Sequence, residues 1–81
     1  MILKVTKAGY LGEYRIHLCF SDGAEGNVDL SAVLYGEVFE PLKDKELFRR
    51  FSIHPEFGTL AWTNGADIAP EFLYEKLRLL V

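Results

Sequence analysis

At 81 residues the sequence is too short for two independent cores, and a chain of this size buries only about 60 to 65 per cent of the surface it exposes when unfolded. Its 12 acidic residues outnumber its 9 basic ones, for a net charge of −3, and no run of like charge exceeds Arg49-Arg50. That balance argues against the concentrated basic face that unaided phosphate binding needs, so no direct contact with nucleic acid is expected.

One domain, residues 1–81, follows from the length. Cys19 is the single cysteine, so no disulfide stabilises it, and Cys19, His17 and His54 lack the paired spacing of zinc sites. Neither a metal nor a cofactor is expected. The remaining routes to stability are efficient packing and association with another chain, and a composition that is 49% apolar and 14% aromatic suits both. No apolar run approaches the roughly 20 residues of a membrane span, and the N-terminus lacks the long apolar segment of a signal peptide. The expected setting is the cytoplasm, away from membranes.

In chain order, Ile2 to Thr6 predicts a first strand ended by Ala8-Gly9. Tyr14, Ile16, Leu18 and Phe20 then alternate with Arg15, His17 and Cys19, the period of a strand with one buried face. After Ser21-Asp22-Gly23 the inward face continues through Ala24, Gly26, Val28 and Leu30. Directly opposed hairpin residues share a face, which decides the register. A two-residue Asp22-Gly23 loop sets Phe20 against Glu25 and mixes the faces. A three-residue loop pairs Phe20 with Ala24, Leu18 with Gly26 and Ile16 with Val28, and puts Gly23 where a left-handed conformation is needed. The outer face then carries Arg15 opposite Asp29 and His17 opposite Asn27, which gives these polar residues structural partners.

Leu30 to Leu34 predicts one helical turn ended by Gly36, followed by an irregular stretch through Val38, Phe39 and Pro41. Asp44 has the character of an N-cap for a helix over Asp44–Phe51 carrying Leu47, Phe48 and Phe51 inward, with Arg49 and Arg50 at its C-terminal end. Ser52 to His54 and Thr59 to Trp62 predict two short strands joined by the turn Pro55-Glu56-Phe57-Gly58. Pro70 suits the first position of a last helix, Pro70–Leu80. The fold expected is α+β: an antiparallel sheet of about five short strands with two helices packed on one face.

On a helical projection Leu73, Leu77 and Leu80 form the central stripe of the last helix, with Phe72 and Leu79 to one side and Tyr74 and Val81 to the other. This apolar arc of roughly 220° exceeds the ~100° that a core-facing stripe requires. Phe72, Leu79, Leu80 and Val81 are the candidates for contact with a protein partner or a second copy. The densest group of polar and turn-forming residues lies just before that helix, between Trp62 and Glu71. Trp62, Asn64, Asp67 and Tyr74 are the candidate ligand-binding residues there, at a strand-to-helix junction. Three of them also have a structural role open to them: Asn64-Gly65 as a turn, Asp67 as an acceptor of backbone N–H groups before the helix, Trp62 as a core anchor. His17, with no serine, cysteine or carboxylate fixed near it by spacing, reads as a surface histidine, Cys19 as a structural thiol and His54 as a turn residue. Gly9-x-x-Gly12 lacks the lysine and the helix that a phosphate loop needs.

Trp62-x-Asn64-Gly65-Ala66-Asp67-Ile68-Ala69-Pro70-Glu71 followed by Leu73-Tyr74 closely resembles the signature of a bacterial family, domain of unknown function 2442. Phe20-Ser21-Asp22-Gly23, Asp29-Leu30 and Val38 to Asp44 with Leu47-Phe48 resemble it too, so the likeness covers nearly the whole chain. The resemblance implies a small α+β domain in a bacterial or archaeal cytoplasm and carries over no catalytic residues. It also implies a genomic neighbour, domain of unknown function 4160, in a pairing similar to a toxin–antitoxin module. Longer relatives append a helix-turn-helix domain. This sequence stops at Val81, so DNA binding through such a domain is not expected. The reading that follows is a non-enzymatic protein-interaction domain, antitoxin-like. The alternative is a small-molecule-binding or enzymatic site at the Trp62–Tyr74 junction.

Overall fold

The computed structural model describes residues 2–79, with Arg78 and Leu79 described by backbone alone. Six strands and two helices follow one another as β1 Val5–Gly12, β2 Arg15–Phe20, β3 Glu25–Asp29, α1 Lys45–Phe48, β4 Ser52–Ile53, β5 Leu60–Ala61, β6 Asp67–Ile68 and α2 Pro70–Leu79. Two 3₁₀ turns, Ser31–Val33 and Glu40–Lys43, fill the connection between β3 and α1. The architecture is α+β and antiparallel, as the sequence predicts, but its strands form two sheets of three, β1-β2-β3 and β4-β5-β6, in place of one sheet of about five.

The hairpin register is the one deduced from face-sharing. Ile16 pairs with Val28, Leu18 with Gly26, His17 with Asn27 and Arg15 with Asp29. The three-residue loop is closed by the Phe20 amide donating to the Ala24 carbonyl at 2.8 Å, with Gly23 at φ 93°. Strand β1, in contrast, runs straight through Ala8-Gly9, where the sequence predicts its end. Ala8 and Gly9 are paired with Leu18 and His17, and the chain reverses only at Gly12-Glu13, both at positive φ. Pairing with an already regular neighbour outweighs the weak strand propensity of a single glycine.

Helix α1 is a single turn. Asp44 caps it, its Oδ1 accepting from the Glu46 amide at 3.0 Å, but Arg49 already closes it, short of the predicted Phe51. Strands β4 and β5 join at the predicted turn, whereas β6 was not predicted. It adds two residues to the edge of β5, pairing Ile68 with Leu60 and Asp67 with Ala61.

The two sheets share one core. Ile16, Leu18 and Val28 from the first sheet meet Leu60 of the second, with Leu30, Leu42, Phe48 and Leu73, all essentially inaccessible to solvent. Phe48 bridges the sheets: its ring lies 5.3 Å from Tyr14 on one side and 5.9 Å from Trp62 on the other. The Val5 amide also donates to the Gly58 carbonyl, joining the first strand to the β4–β5 turn. Helix α2 packs on β3. Its approach depends on Gly26, because a Cβ there would overlap the Leu77 side chain. The helices therefore do not share one face of one sheet: α1 delivers Phe48 to the seam, and α2 covers β3.

Candidate functional site

The junction between β5 and α2 begins as a closed turn, in which the Trp62 amide donates to the Ala66 carbonyl and the Gly65 amide to the Trp62 carbonyl. Trp62 is buried, and its indole Nε1–H donates to the Phe48 carbonyl at 2.8 Å. Asn64 is a brace: its Oδ1 accepts from the Ala66 amide at 3.1 Å, while its Nδ2 donates to the Val38 carbonyl at 2.9 Å. Tyr74 points to the first sheet, where its hydroxyl donates to Asp22 Oδ2 at 2.8 Å and its ring meets Phe20 edge-on. Of the four candidate ligand-binding residues, three are thus held in different directions. Asn64, not Asp67, supplies the local turn bond. Asp67 lies in β6 with its side chain exposed, and among the described residues none donates a hydrogen bond to its carboxylate.

Asp67 faces a groove of about 310 Å³. Its walls are Val33 and Phe39 from the long connection, Ile68 and Ala69 from the junction, and Phe72 from α2, with Tyr35 at the mouth. Tyr35 is 71% exposed and Phe72 39%. Among the described residues Asp67 is the sole charged member of this lining, so an apolar trough carries one carboxylate. Of the candidates for partner contact, Phe72 takes part in the groove. The Leu79 side chain, Leu80 and Val81 lie outside the described residues.

A second constellation sits on the outer face of the first sheet. His17 Nε2, Cys19 Sγ and the Glu25 carboxylate lie within 4.8 Å of one another, from the adjacent strands β2 and β3. His17 and Cys19 share a face by alternation, and the register sets Glu25 opposite Cys19. The three-residue loop that sets His17 opposite Asn27 also sets Cys19 opposite Glu25, but spacing along the chain carries no sign of the cluster, because Glu25 arrives across the hairpin.

The exposed carboxylates are tuned locally. The Ala24 amide, then the Tyr74 hydroxyl, hold the Asp22 carboxyl below its ordinary range. The Ser31 amide and hydroxyl do the same for Asp29, with a lesser contribution from Arg15. Glu13 is lowered by the Lys45 ammonium at 2.6 Å, which is itself raised by Glu13. These are bonds that organise loops. None of the three carboxylates lines the groove.

No curated protein matches this sequence. Among solved structures, the "Putative DNA Binding Protein" of Nitrosomonas europaea superposes with a TM-score of 0.83 at 24% identity, over 98% of this chain and 51% of that one. The chain thus spans about half the length of that structure, and the likeness establishes a common fold. It also corrects the expectation of no direct nucleic acid contact, since a protein containing this fold carries a DNA-binding name. Net charge describes the domain as a whole and does not exclude nucleic acid from every protein built on it. No helix among the described residues is long and apolar enough to cross a membrane. The model of the family described as "Protein of unknown function (DUF2442)" matches residues 5–78, and the chain belongs to that family.

Proposed function

We propose that this chain is a protein-interaction domain whose groove beside α2 receives an apolar side chain of a partner, with a neighbouring cation of that partner facing Asp67. The supporting observation is the groove itself: an open apolar trough with exposed aromatic rims at Tyr35 and Phe72 and a single carboxylate without a partner among the described residues. Exposed aromatics around a desolvated centre are the usual material of interface hot spots. In the finer form of this reading the partner is a small protein encoded beside this one, with this chain in the antitoxin-like role.

Co-expression with the product of the adjacent gene tests the reading, followed by light scattering and calorimetry on the purified pair. A stable complex is expected, weakened at least ten-fold by Phe72→Asp and by Asp67→Lys. A chain that stays monomeric at high concentration and yields no complex overturns it. Because the Nitrosomonas europaea protein carries a DNA-binding name, duplex DNA is titrated in the same series, and binding that steepens as salt falls would assign the surface to nucleic acid instead.

A small molecule in the same groove is the second reading, favoured by a volume at the lower end of ligand pockets and by the open Asp67 carboxylate. A cationic aromatic or aliphatic compound displaced by Asp67→Asn, with no protein complex formed, would select it.

A further inference from the structure

We propose that His17, Cys19 and Glu25 form a Zn(II) site on the outer face of the first sheet, with three protein ligands and a fourth position open to solvent. Cys19 Sγ lies 3.9 Å from His17 Nε2 and 3.9 Å from Glu25 Oε2, and His17 Nε2 lies 4.0 Å from Glu25 Oε1. Ligand bonds of about 2.0–2.3 Å in a tetrahedron place donor atoms about 3.4–3.6 Å apart. His17 Nε2 and Cys19 Sγ need approach each other by only a few tenths of an ångström, whereas a single Glu25 oxygen, within 4.8 Å of both, closes in by up to about an ångström. The Glu25 side chain, 66% exposed, is free to make that adjustment.

The histidine is already set for coordination. Its Nδ1 lies 2.7 Å from Asn27 Oδ1, an acceptor, so Nδ1 carries the proton and the Nε2 lone pair is directed at Cys19 and Glu25. An outer partner that fixes tautomer and ring orientation in this way is the regular companion of a metal-bound histidine. A thiol, a carboxylate and an imidazole lone pair converge here, all electron-pair donors, and a cation satisfies the three together. Lys7, opposite Cys19 on β1, is the one basic residue paired with the cluster. Thiolate with imidazole selects zinc or cobalt over calcium and magnesium. The surface beside His17 is open on the β1 side, where its neighbour is Gly9 and a Cβ placed there would meet nothing within 4 Å.

The test is titration of the intact, reduced chain with Zn(II) by calorimetry and with Co(II) by absorption spectroscopy. One metal per chain is expected, with a thiolate-to-Co(II) charge-transfer band in the near ultraviolet. Cys19→Ser abolishes the band, Cys19→Ser and His17→Gln each weaken Zn(II) binding by at least ten-fold, and Asn27→Ala weakens it by about 10- to 100-fold. His54→Gln, outside the cluster, leaves binding unchanged. All three ligands lie on an outer face, so circular dichroism of the metal-free variants should match the parent, and Glu25→Gln replaces any variant that does not. Absence of the charge-transfer band, or parental Zn(II) affinity in Cys19→Ser, overturns the site.

Discussion

The Tyr74 hydroxyl donates to Asp22 Oδ2 at 2.8 Å across 52 positions of sequence, so that α2 and the β2–β3 loop are fastened to each other. The same Asp22 uses its other oxygen to accept from the Ala24 amide at 3.0 Å, so one carboxylate closes its own turn and secures the helix. Tyr74→Phe removes the bond to the helix and leaves the one to Ala24. The Asp22 carboxyl then titrates at a higher pH than in the parent, read by NMR of the side-chain carboxyl carbon, while the Ala24 bond keeps it below the free value.

Asp22, Asp29 and Glu13 all have carboxyls lowered by folding, from ordinary values of 3.8, 3.8 and 4.5. A group whose folded pKa is depressed contributes stability above its unfolded pKa and loses it as pH falls towards the folded one. Denaturant unfolding should therefore show constant contributions from these groups near neutrality and a decline beginning at about pH 4.5 and continuing below it. An unchanged midpoint from pH 6 to pH 3 would remove these bonds from the account of stability.

Gly26→Ala forces the new methyl against Leu77 on α2. Overpacking of this kind costs about 1–3 kcal/mol, towards the low end here because the obstructing group is the tip of a side chain. Leu77→Ala should relieve it, so the double variant is less destabilised than the sum of the singles in urea unfolding.

Trp62→Phe leaves the Phe48 carbonyl without its indole donor in a buried setting and opens space between the sheets. A loss of about 2–3 kcal/mol is expected from the unmade hydrogen bond and the void together. Its measurement also separates Trp62 as a core residue from Asp67 as a groove residue. Asp67→Asn should change folding stability by no more than about 0.5 kcal/mol while altering partner or ligand binding.

The first hairpin was legible because Ile16, Leu18 and Phe20 must share a face with Ala24, Gly26 and Val28, and only one loop length allows it. Two-residue strands such as Asp67–Ile68 carry no periodicity, so β6 and the division into two sheets left no pattern to read. Asn64 and Tyr74 were legible as polar residues near a helix start. Their partners, Val38 and Asp22, lie 26 and 52 residues away and are brought there only by the tertiary fold. The groove was hidden for the same reason: three of its seven lining residues, Val33, Tyr35 and Phe39, come from the connection between β3 and α1, where the pattern is irregular.

The two sheets are each wound from a short, continuous stretch of chain, residues 5–29 and 52–68, and Phe48 joins them at a common seam. Local winding of this sort favours rapid assembly, and the first sheet, with its longer ladders, is the more cooperative unit. Amide protons of Ile16 and Leu18 on the central strand should exchange most slowly, and those of Leu60 and Ile68 sooner. The groove wall at Ile68 belongs to that second unit, so a partner seated there would slow exchange most in the sheet that opens the more readily of the two.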